Sequence, residues 1–397
     1  MAGFLKWPLL VTLVIFNVAN AQLPISIFNG LAEDDALHVY VTGFDSNHDL
    51  VFLLSNGSWF YPDPAHPSST PTPVTADIAI PVGGQGQAIN VTLPGDLASG
   101  RVWFALSPMT FSTTVDANGV ATLVEPSVTD PADPNAAVTW DFIELTYSAK
   151  DGLFANISYV DFVGLALGMS VVSADGGNQV VLGLSANATT QICDSLQRQA
   201  VGSRQPWDKL CVAERRRILS PNTFLSLDPG SFGDYYADYV DRVWTVYGNE
   251  TLIVNTQGSD GNVTCTASGQ SLYCTGDNRG YDKPTTEDIF GCNSGPFRIE
   301  AGDNDMRKAV VPRLCAAFER TTLLLDRFQP GLSPASYYTE APVNYYSKFV
   351  HDNELDGRGY TFSYDDVSPT GEDQSGLITS DSPVLLTITV GGPDLAS

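Results

Sequence analysis

Two carboxylates that could act together as a general acid and a general base occupy one stretch of the chain. Glu144 lies in the run Trp140–Tyr147, and Asp161 ends the run Leu153–Asp161. Both runs are rich in β-branched and aromatic residues, and Asp151-Gly152 between them is a strong hairpin signal. The stretch therefore predicts an antiparallel hairpin with one carboxylate on each strand.

A two-residue turn at Asp151-Gly152 would set the register of this hairpin. Glu144 would face Tyr159 and Phe142 would face Asp161, so that the two carboxylates share one face as diagonal neighbours. Such neighbours lie about 7–8 Å apart. Carboxylates separated by roughly 6.5–9.5 Å leave room for a water molecule, as in hydrolysis of a glycosidic bond with inversion. In this register the pair could hydrolyse a sugar linkage.

Alternation along the first strand favours an open position for Glu144. An apolar face of Ile143, Leu145 and Tyr147 leaves Phe142, Glu144 and Thr146 on the opposite face. A solvated glutamate on an exposed sheet face is the alternative interpretation.

The glycosylation sequon that begins at Asn156 argues against the predicted register. That register directs Asn156 toward the apolar face, where a glycan cannot fit. A slip of one residue would move Asp161 to the other face.

A second acidic pair, Asp365-Asp366, follows the aromatic run Tyr360–Tyr364, which reads as a strand. Aromatic rings beside carboxylates suit a sugar, and turn capping is the equally good alternative. The four histidines are scattered, and neither a G-x-S-x-G nor a P-loop pattern occurs. We therefore expect neither a metal nor a cofactor.

The N-terminus indicates secretion. An apolar run at residues 7–18 and the small-residue site Ala19-Asn20-Ala21 predict a signal peptide over residues 1–21. The net charge of −25 makes nucleic acid and anionic membranes poor partners. Sequons fit an extracellular glycoprotein; they begin at Asn56, Asn90, Asn156, Asn187, Asn249 and Asn262.

Six cysteines in a secreted chain predict disulfides. Pairing of sequence neighbours would join Cys193 to Cys211, Cys265 to Cys274 and Cys292 to Cys315, although six cysteines allow about fifteen connectivities.

The order of elements predicts a mainly β (α+β) protein. Short strands broken by turn residues fill residues 23–128 and suggest a sandwich or barrel, and the C-terminal part returns to strands. Helical patterns cover residues 189–200, 232–247 and 305–324, the last interrupted or delayed by Pro312. We predict a discontinuous β-domain (residues 22–167 and 285–397) with an inserted smaller α/β domain (residues 168–284).

Taken together, the chain resembles glycoside hydrolase family 64, the thaumatin-like endo-β-1,3-glucanases, over nearly its whole length after the leader. The resemblance is carried by the order and spacing of several short stretches: Tyr40-Val41-Thr42-Gly43, Gly57-Ser58-Trp59-Phe60-Tyr61-Pro62, Phe142-Ile143-Glu144-Leu145-Thr146, Asn156-Ile157-Ser158-Tyr159-Val160-Asp161-Phe162, Pro206-Trp207-Asp208-Lys209-Leu210 and residues 356–366.

The resemblance implies a thaumatin-like β-domain and a smaller α/β domain that flank an open groove between them for a β-1,3-glucan chain. It implies a secreted, monomeric, inverting endo-β-1,3-glucanase with Glu144 as general acid and Asp161 as general base. Thr146, Phe142, Tyr159, Asp365 and Asp366 are the expected substrate-binding residues. The rival hypothesis is a non-catalytic thaumatin-like protein that binds β-glucan in the same groove, as an antifungal protein would.

Overall fold

The structure, a computed structural model, describes residues 22–31, 36–63 and 68–392. The predicted signal peptide (residues 1–21) and the last five residues lie outside this range. Among the described residues, no helix is long and apolar enough to cross a membrane.

Twenty-four strands occur in the described part of the chain. They are β1 (Leu23–Asn29), β2 (Leu37–Phe44), β3 (Leu50–Leu53), β4 (Trp59–Phe60), β5 (Ser68–Pro73), β6 (Ile80–Gly83), β7 (Ala88–Leu93), β8 (Leu97–Ala105), β9 (Ser112–Val115), β10 (Ala121–Val124), β11 (Trp140–Ser148), β12 (Gly152–Ile157), β13 (Phe162–Val163), β14 (Leu167–Ser173), β15 (Asn178–Val181), β16 (Cys211–Val212), β17 (Arg217–Leu219), β18 (Leu252–Asn255), β19 (Asn262–Ser268), β20 (Ser271–Cys274), β21 (Tyr281–Asp282), β22 (Phe328–Gln329), β23 (Leu377–Ser380) and β24 (Pro383–Val390).

Six α-helices accompany them in the described residues: α1 (Ala188–Ser203), α2 (Pro221–Leu225), α3 (Ala237–Tyr247), α4 (Thr286–Gly291), α5 (Asp305–Glu319) and α6 (Tyr345–Asn353). The protein is mainly β, as the sequence predicts.

Two large sheets dominate the fold. One has the strand order β15-β14-β24-β1-β7, in which β1 and β24 run parallel. The other has the order β23-β12-β11-β8-β2-β3-β4, with β6 beside β2. Alternating residues of β1, such as Ile25 and Ile27, are inaccessible and belong to the same hydrophobic core as Ile143 and Leu145 of β11. Burial of one face of each strand therefore ties the two sheets together.

Strand pairing crosses both predicted boundaries of the smaller unit. β14 and β15, placed in that unit by the sequence, pair through β14 with β24 in the first large sheet. At the other end, β22 pairs with β18 and so joins the sheet β21-β20-β19-β18-β22. Boundaries at residues 168 and 284 thus cut through sheets, and the division into two domains stays a prediction.

Helices α1, α3 and α5 overlap the predicted helical patterns. In α3, Tyr239, Val243 and Tyr247 recur on one face of the helix and are buried, so they serve packing. Helix α5 continues through Pro312, contrary to expectation, and buries Val311 and Leu314 on either side. Packing of this face offsets the backbone hydrogen bond that proline cannot make.

Residues Tyr360–Tyr364 form turns and a single bridge rather than the predicted strand. Thr361 and Phe362 in this run are buried, but the backbone of the run pairs with another segment only at the bridge between Tyr360 and Ser158. The disulfides join Cys193 to Cys211, Cys265 to Cys274 and Cys292 to Cys315, which is the sequence-neighbour pairing.

Candidate active site

Glu144 lies in the middle of β11, which is hydrogen-bonded to β8 on one side and to β12 on the other. Ile143 and Leu145 are buried beneath it, whereas Glu144 is partly accessible and Thr146 is exposed. The predicted alternation is confirmed. The side chains of Glu144 and Thr146 therefore point out of the core on one face of the large sheet.

The predicted hairpin register is wrong. Glu144 pairs with Asn156 rather than with Tyr159, and Ser148 pairs with Gly152. The turn contains three residues, 149–151, and Gly152 is already the first residue of β12. Gly152 has φ of 80°, and a Cβ there would lie 2.1 Å from the carbonyl oxygen of Ser380. Close approach of β23 thus requires glycine in the strand and not in the turn.

The observed register places Asn156 on the same face as Glu144. Asn156 Nδ2 donates to Glu144 Oε2 at 3.3 Å. On the other flank, Arg101 of β8 stands directly opposite Glu144, and its Nη2 lies 3.4 Å from Glu144 Oε1. The Glu144 carboxylate is therefore held from both sides by strand neighbours.

Asp161 lies beyond β12, which ends at Ile157, and so is not a residue of the strand that was predicted to carry it. The intervening segment is fixed by Tyr159, whose N–H donates to Tyr360 O at 2.7 Å and whose carbonyl accepts from the Tyr346 hydroxyl at 2.5 Å. The Asp161 carbonyl accepts from the N–H of Ser220 at 2.9 Å. Backbone contacts therefore hold Asp161 in place.

A buried carboxylate anchors the chain just beyond Asp161. Asp141 is inaccessible and accepts hydrogen bonds from the N–H groups of Gly164 at 2.8 Å and Leu165 at 3.0 Å. Because Asp141 belongs to β11, this contact ties the segment after Asp161 to the strand that carries Glu144.

Asp161 is accessible to solvent and lines a depression in the surface. Partial burial raises the pKa of Asp161, the Arg101 guanidinium opposes this, and Glu144 and Glu125 add to the rise. Glu144 and Asp161 thus lie close enough to influence each other electrostatically.

Two adjoining depressions lie over these residues. One, of about 390 Å³, is lined by Glu144, Thr146, Phe154 and Asn156 among others, and we call it the Glu144 depression. The second, of about 460 Å³, is the Asp161 depression, whose lining includes Asp161, Trp103, Phe142, Asn222 and Thr223. Arg101 and Glu125 line both. Together the depressions form one cleft with the two carboxylates in adjacent compartments.

The sequence model of the family described as β-1,3-glucanase, glycoside hydrolase family 64, matches residues 21–390. The chain belongs to glycoside hydrolase family 64. Its sequence is 27% identical over 298 residues to a glucan endo-1,3-β-glucosidase of Cellulosimicrobium cellulans, a match that covers 71% of this chain and 50% of that protein. A glucan endo-1,3-β-glucosidase of an Arthrobacter species matches to the same extent. The family-64 chain thus spans about half the length of the curated relatives it matches.

Solved structures of family 64 resemble this fold. A laminaripentaose-producing β-1,3-glucanase, crystallised with laminaritetraose, superimposes with a TM-score of 0.80 at 26% identity, covering 93% of this chain and 98% of that chain. A family-64 β-1,3-glucanase domain from Clostridium beijerinckii gives a TM-score of 0.71 at 21% identity, with the same coverage. At this identity the similarity supports only the assignment of the fold.

The expected substrate-binding residues of this family-64 chain divide between cleft and core. Thr146 lines the Glu144 depression and Phe142 lines the Asp161 depression. Tyr159 and Asp365 are inaccessible, so their side chains offer no surface to a ligand. Asp366 is exposed but lines neither depression. The structure thus corrects the expectation for Tyr159 and Asp365, and the expectation for Asp366 stays a prediction.

Asp365 belongs instead to a buried charge cluster. Its carboxylate accepts from Arg320 Nη2 at 2.8 Å and lies 3.0 Å from His351 Nε2, while His351 Nδ1 lies 2.7 Å from Glu354. Burial lowers the pKa of His351, but Glu354 and Asp365 outweigh it and raise the pKa to about 10. The cluster therefore holds cations and carboxylates together inside the protein.

Sequence reasoning missed Arg101, Glu125, Trp103 and the exposed ring of Phe154 at the cleft. The alternation of Arg101 and Trp103 was a usable signal for a shared face. That this face adjoins Glu144 depends on the pairing of β8 with β11, which no local pattern specifies.

Proposed function

We propose that this chain is a secreted endo-β-1,3-glucanase with a thaumatin-like β-domain that hydrolyses β-1,3-glucan with inversion. The observation that carries the proposal is the opening of Glu144 and Asp161 onto adjacent compartments of one cleft. Membership of family 64 and the two glucan endo-1,3-β-glucosidase relatives support the substrate class. The predicted signal peptide and the disulfides support secretion.

In this mechanism, Glu144 donates its proton to the glycosidic oxygen as the bond to the anomeric carbon breaks. Asp161 takes a proton from a water molecule whose oxygen attacks that carbon from the opposite face. The product leaves with the inverted, α configuration, and protons and charge balance across the pair. A raised pKa makes the Asp161 carboxylate a stronger base, while Arg101 favours its ionised form.

The walls of the cleft suit a sugar chain. Phe154 is about half exposed and lines the Glu144 depression beside Thr146 and Asn156. An aromatic face takes the apolar C–H face of a sugar ring, and the hydroxyl and amide groups pair with sugar hydroxyls. Binding and chemistry would therefore occur in the same cleft.

The decisive experiment uses Glu144→Gln and Asp161→Asn on a linear β-1,3-glucan. We expect each variant to lose about 10²–10⁴-fold in kcat, as removal of a general acid or base does. Asp151→Asn, in the exposed turn of the same hairpin, is the matched control and should keep wild-type activity.

An NMR time course of the first product of the wild-type protein tests the stereochemistry. Early appearance of the α-anomer supports inversion, and early β-anomer would overturn it. If Glu144→Gln keeps wild-type activity, the assignment of Glu144 as the general acid is refuted. Glucan binding by the wild-type protein without any release of sugar would favour the non-catalytic hypothesis instead.

A further inference from the structure

Arg101 occupies the centre of the cleft, where three carboxylates approach it from different elements. From its place on β8 it extends Nη1 to Glu125 Oε2 at 2.5 Å and Nη2 to Glu144 Oε1 at 3.4 Å. Asp161, in the segment after β12, lines the Asp161 depression together with Arg101. The Arg101 side chain is 22% exposed, against 39% for Glu144 and 55% for Glu125. The cation is thus more enclosed than either of the glutamates that contact it.

Aromatic rings fix the plane of this guanidinium. Its central carbon lies 4.5 Å from the ring centroid of Phe142 and 5.4 Å from that of Trp103. A guanidinium that stacks on rings presents its N–H groups in a fixed fork, so two of its nitrogens can serve two different carboxylates at once. A lysine ammonium would keep the charge at this position but not the fork.

The charges around Asp161 oppose one another. Partial burial raises the pKa of Asp161, Arg101 lowers it, and Glu144 and Glu125 raise it. The hydroxyl of Tyr346 in α6 donates to the carbonyl of Tyr159, two residues before Asp161, and the Asp161 charge adds to the rise in the Tyr346 pKa. Loss of Arg101 and loss of Glu125 must therefore shift the titration of Asp161 in opposite directions.

We propose that Arg101 is a positioning residue of the reaction, which orients the Glu144 carboxyl through one arm of its guanidinium and stabilises the negative charge of Asp161. Glu125 holds the other arm and thereby sets the orientation of the guanidinium. This inference rests on the proposed roles of Glu144 and Asp161. It adds two groups, Arg101 and Glu125, that govern the protonation of Asp161 and the orientation of Glu144.

The test compares Arg101→Met, Arg101→Lys and Glu125→Gln with the wild-type protein in profiles of kcat/KM against pH. Methionine keeps the apolar stem over the rings but removes the charge. We expect the acid limb of Arg101→Met to move to higher pH by on the order of one unit, because an ionised Asp161 loses its cation. Glu125→Gln should move the same limb to lower pH, because a neighbouring negative charge is removed.

Arg101→Lys separates charge from geometry. Its acid limb should return toward that of the wild-type protein, whereas its maximal kcat should stay on the order of tenfold lower, because a single ammonium cannot hold two carboxylates in a fixed fork. A full return of kcat in Arg101→Lys would overturn the orienting role of the guanidinium.

A titration of the Asp161 carboxyl by ¹³C NMR gives a readout that does not depend on activity. If the Asp161 pKa is the same in the wild-type protein, Arg101→Met and Glu125→Gln, the electrostatic role of Arg101 is refuted even where glucan hydrolysis stands. If instead the wild-type protein releases no sugar from β-1,3-glucan, the proposed function fails, and the titration still decides whether Arg101 governs Asp161. Should Arg101→Met not fold, the downward shift expected for Glu125→Gln keeps the inference open to refutation.

Discussion

Replacement of Asp365 by asparagine should destabilise the folded protein and leave the chemistry of the cleft intact. The Asp365 carboxylate is inaccessible and accepts from Arg320 Nη2 at 2.8 Å, from the Thr361 N–H at 2.9 Å and from the Thr361 hydroxyl at 2.8 Å. His351 Nε2 lies 3.0 Å away. Asparagine is similar in shape but uncharged, so Arg320 and His351 would remain buried without this counter-charge.

Removal of one partner from a buried ion pair costs about 3–5 kcal/mol. We therefore expect the free energy of unfolding of Asp365→Asn at pH 7, measured in urea with the disulfides intact, to fall by an amount in that range. Activity per folded molecule should be unchanged, because Asp365 lines neither part of the cleft.

The neighbouring carboxylate offers the matched control. Asp366 is exposed, so Asp366→Ala, which creates no glycosylation sequon, should change the free energy of unfolding by no more than about 0.5 kcal/mol. A loss below about 1 kcal/mol for Asp365→Asn would refute the reasoning, because removal of a surface charge typically has an effect no larger than this. Equal losses in the two variants would refute it as well.

Three further predictions concern acid stability, the cleft wall and glycosylation. Burial opposes ionisation of Asp365, but His351 and Arg320 outweigh it and lower the pKa from 3.8 to about 2. The pKa of Asp365 in the folded protein lies below its unfolded value, so its ionisation stabilises the fold above about pH 4, and this contribution is lost as the pH falls through 2. The contribution amounts to about 2 kcal/mol. The free energy of unfolding in urea should therefore fall by about this amount between pH 5 and 2 in the wild-type protein, and Asp365→Asn should lack this part of the decrease. Phe154→Ala should raise KM for glucan about fivefold with little change in kcat, as loss of about 1 kcal/mol of stacking implies, and unchanged steady-state constants would contradict this. Peptide mass spectrometry of active protein should find Asn156 unmodified, because its amide contacts Glu144 in the cleft; a glycan there in fully active protein would exclude that arrangement.

Much of the site follows from local sequence pattern. Alternation on β11 correctly separated Ile143 and Leu145 from Glu144 and Thr146, because side chains in a strand point to opposite faces whatever lies next to them. The pairing of cysteines close in sequence was also among the connectivities that could be foreseen. Such features depend on residues that are near one another in the chain.

What only the tertiary structure decided depends on distant contacts. The register of the hairpin is set by a three-residue turn and by the close approach of β23 to Gly152, so Glu144 faces Asn156 and not Tyr159. Asp365 and Asp366 are adjacent in sequence, yet it is Asp365 that contacts the buried side chains of Arg320, at the C-terminal cap of α5, and His351 of α6. Arg101 lies beside Glu144 only because β8 pairs with β11. The sequence alone identified Glu144 as a candidate carboxylate and predicted which face of its strand it lies on. The residues that contact Glu144 depended on which strands pair in the fold, because strand pairing and burial are properties of the whole chain.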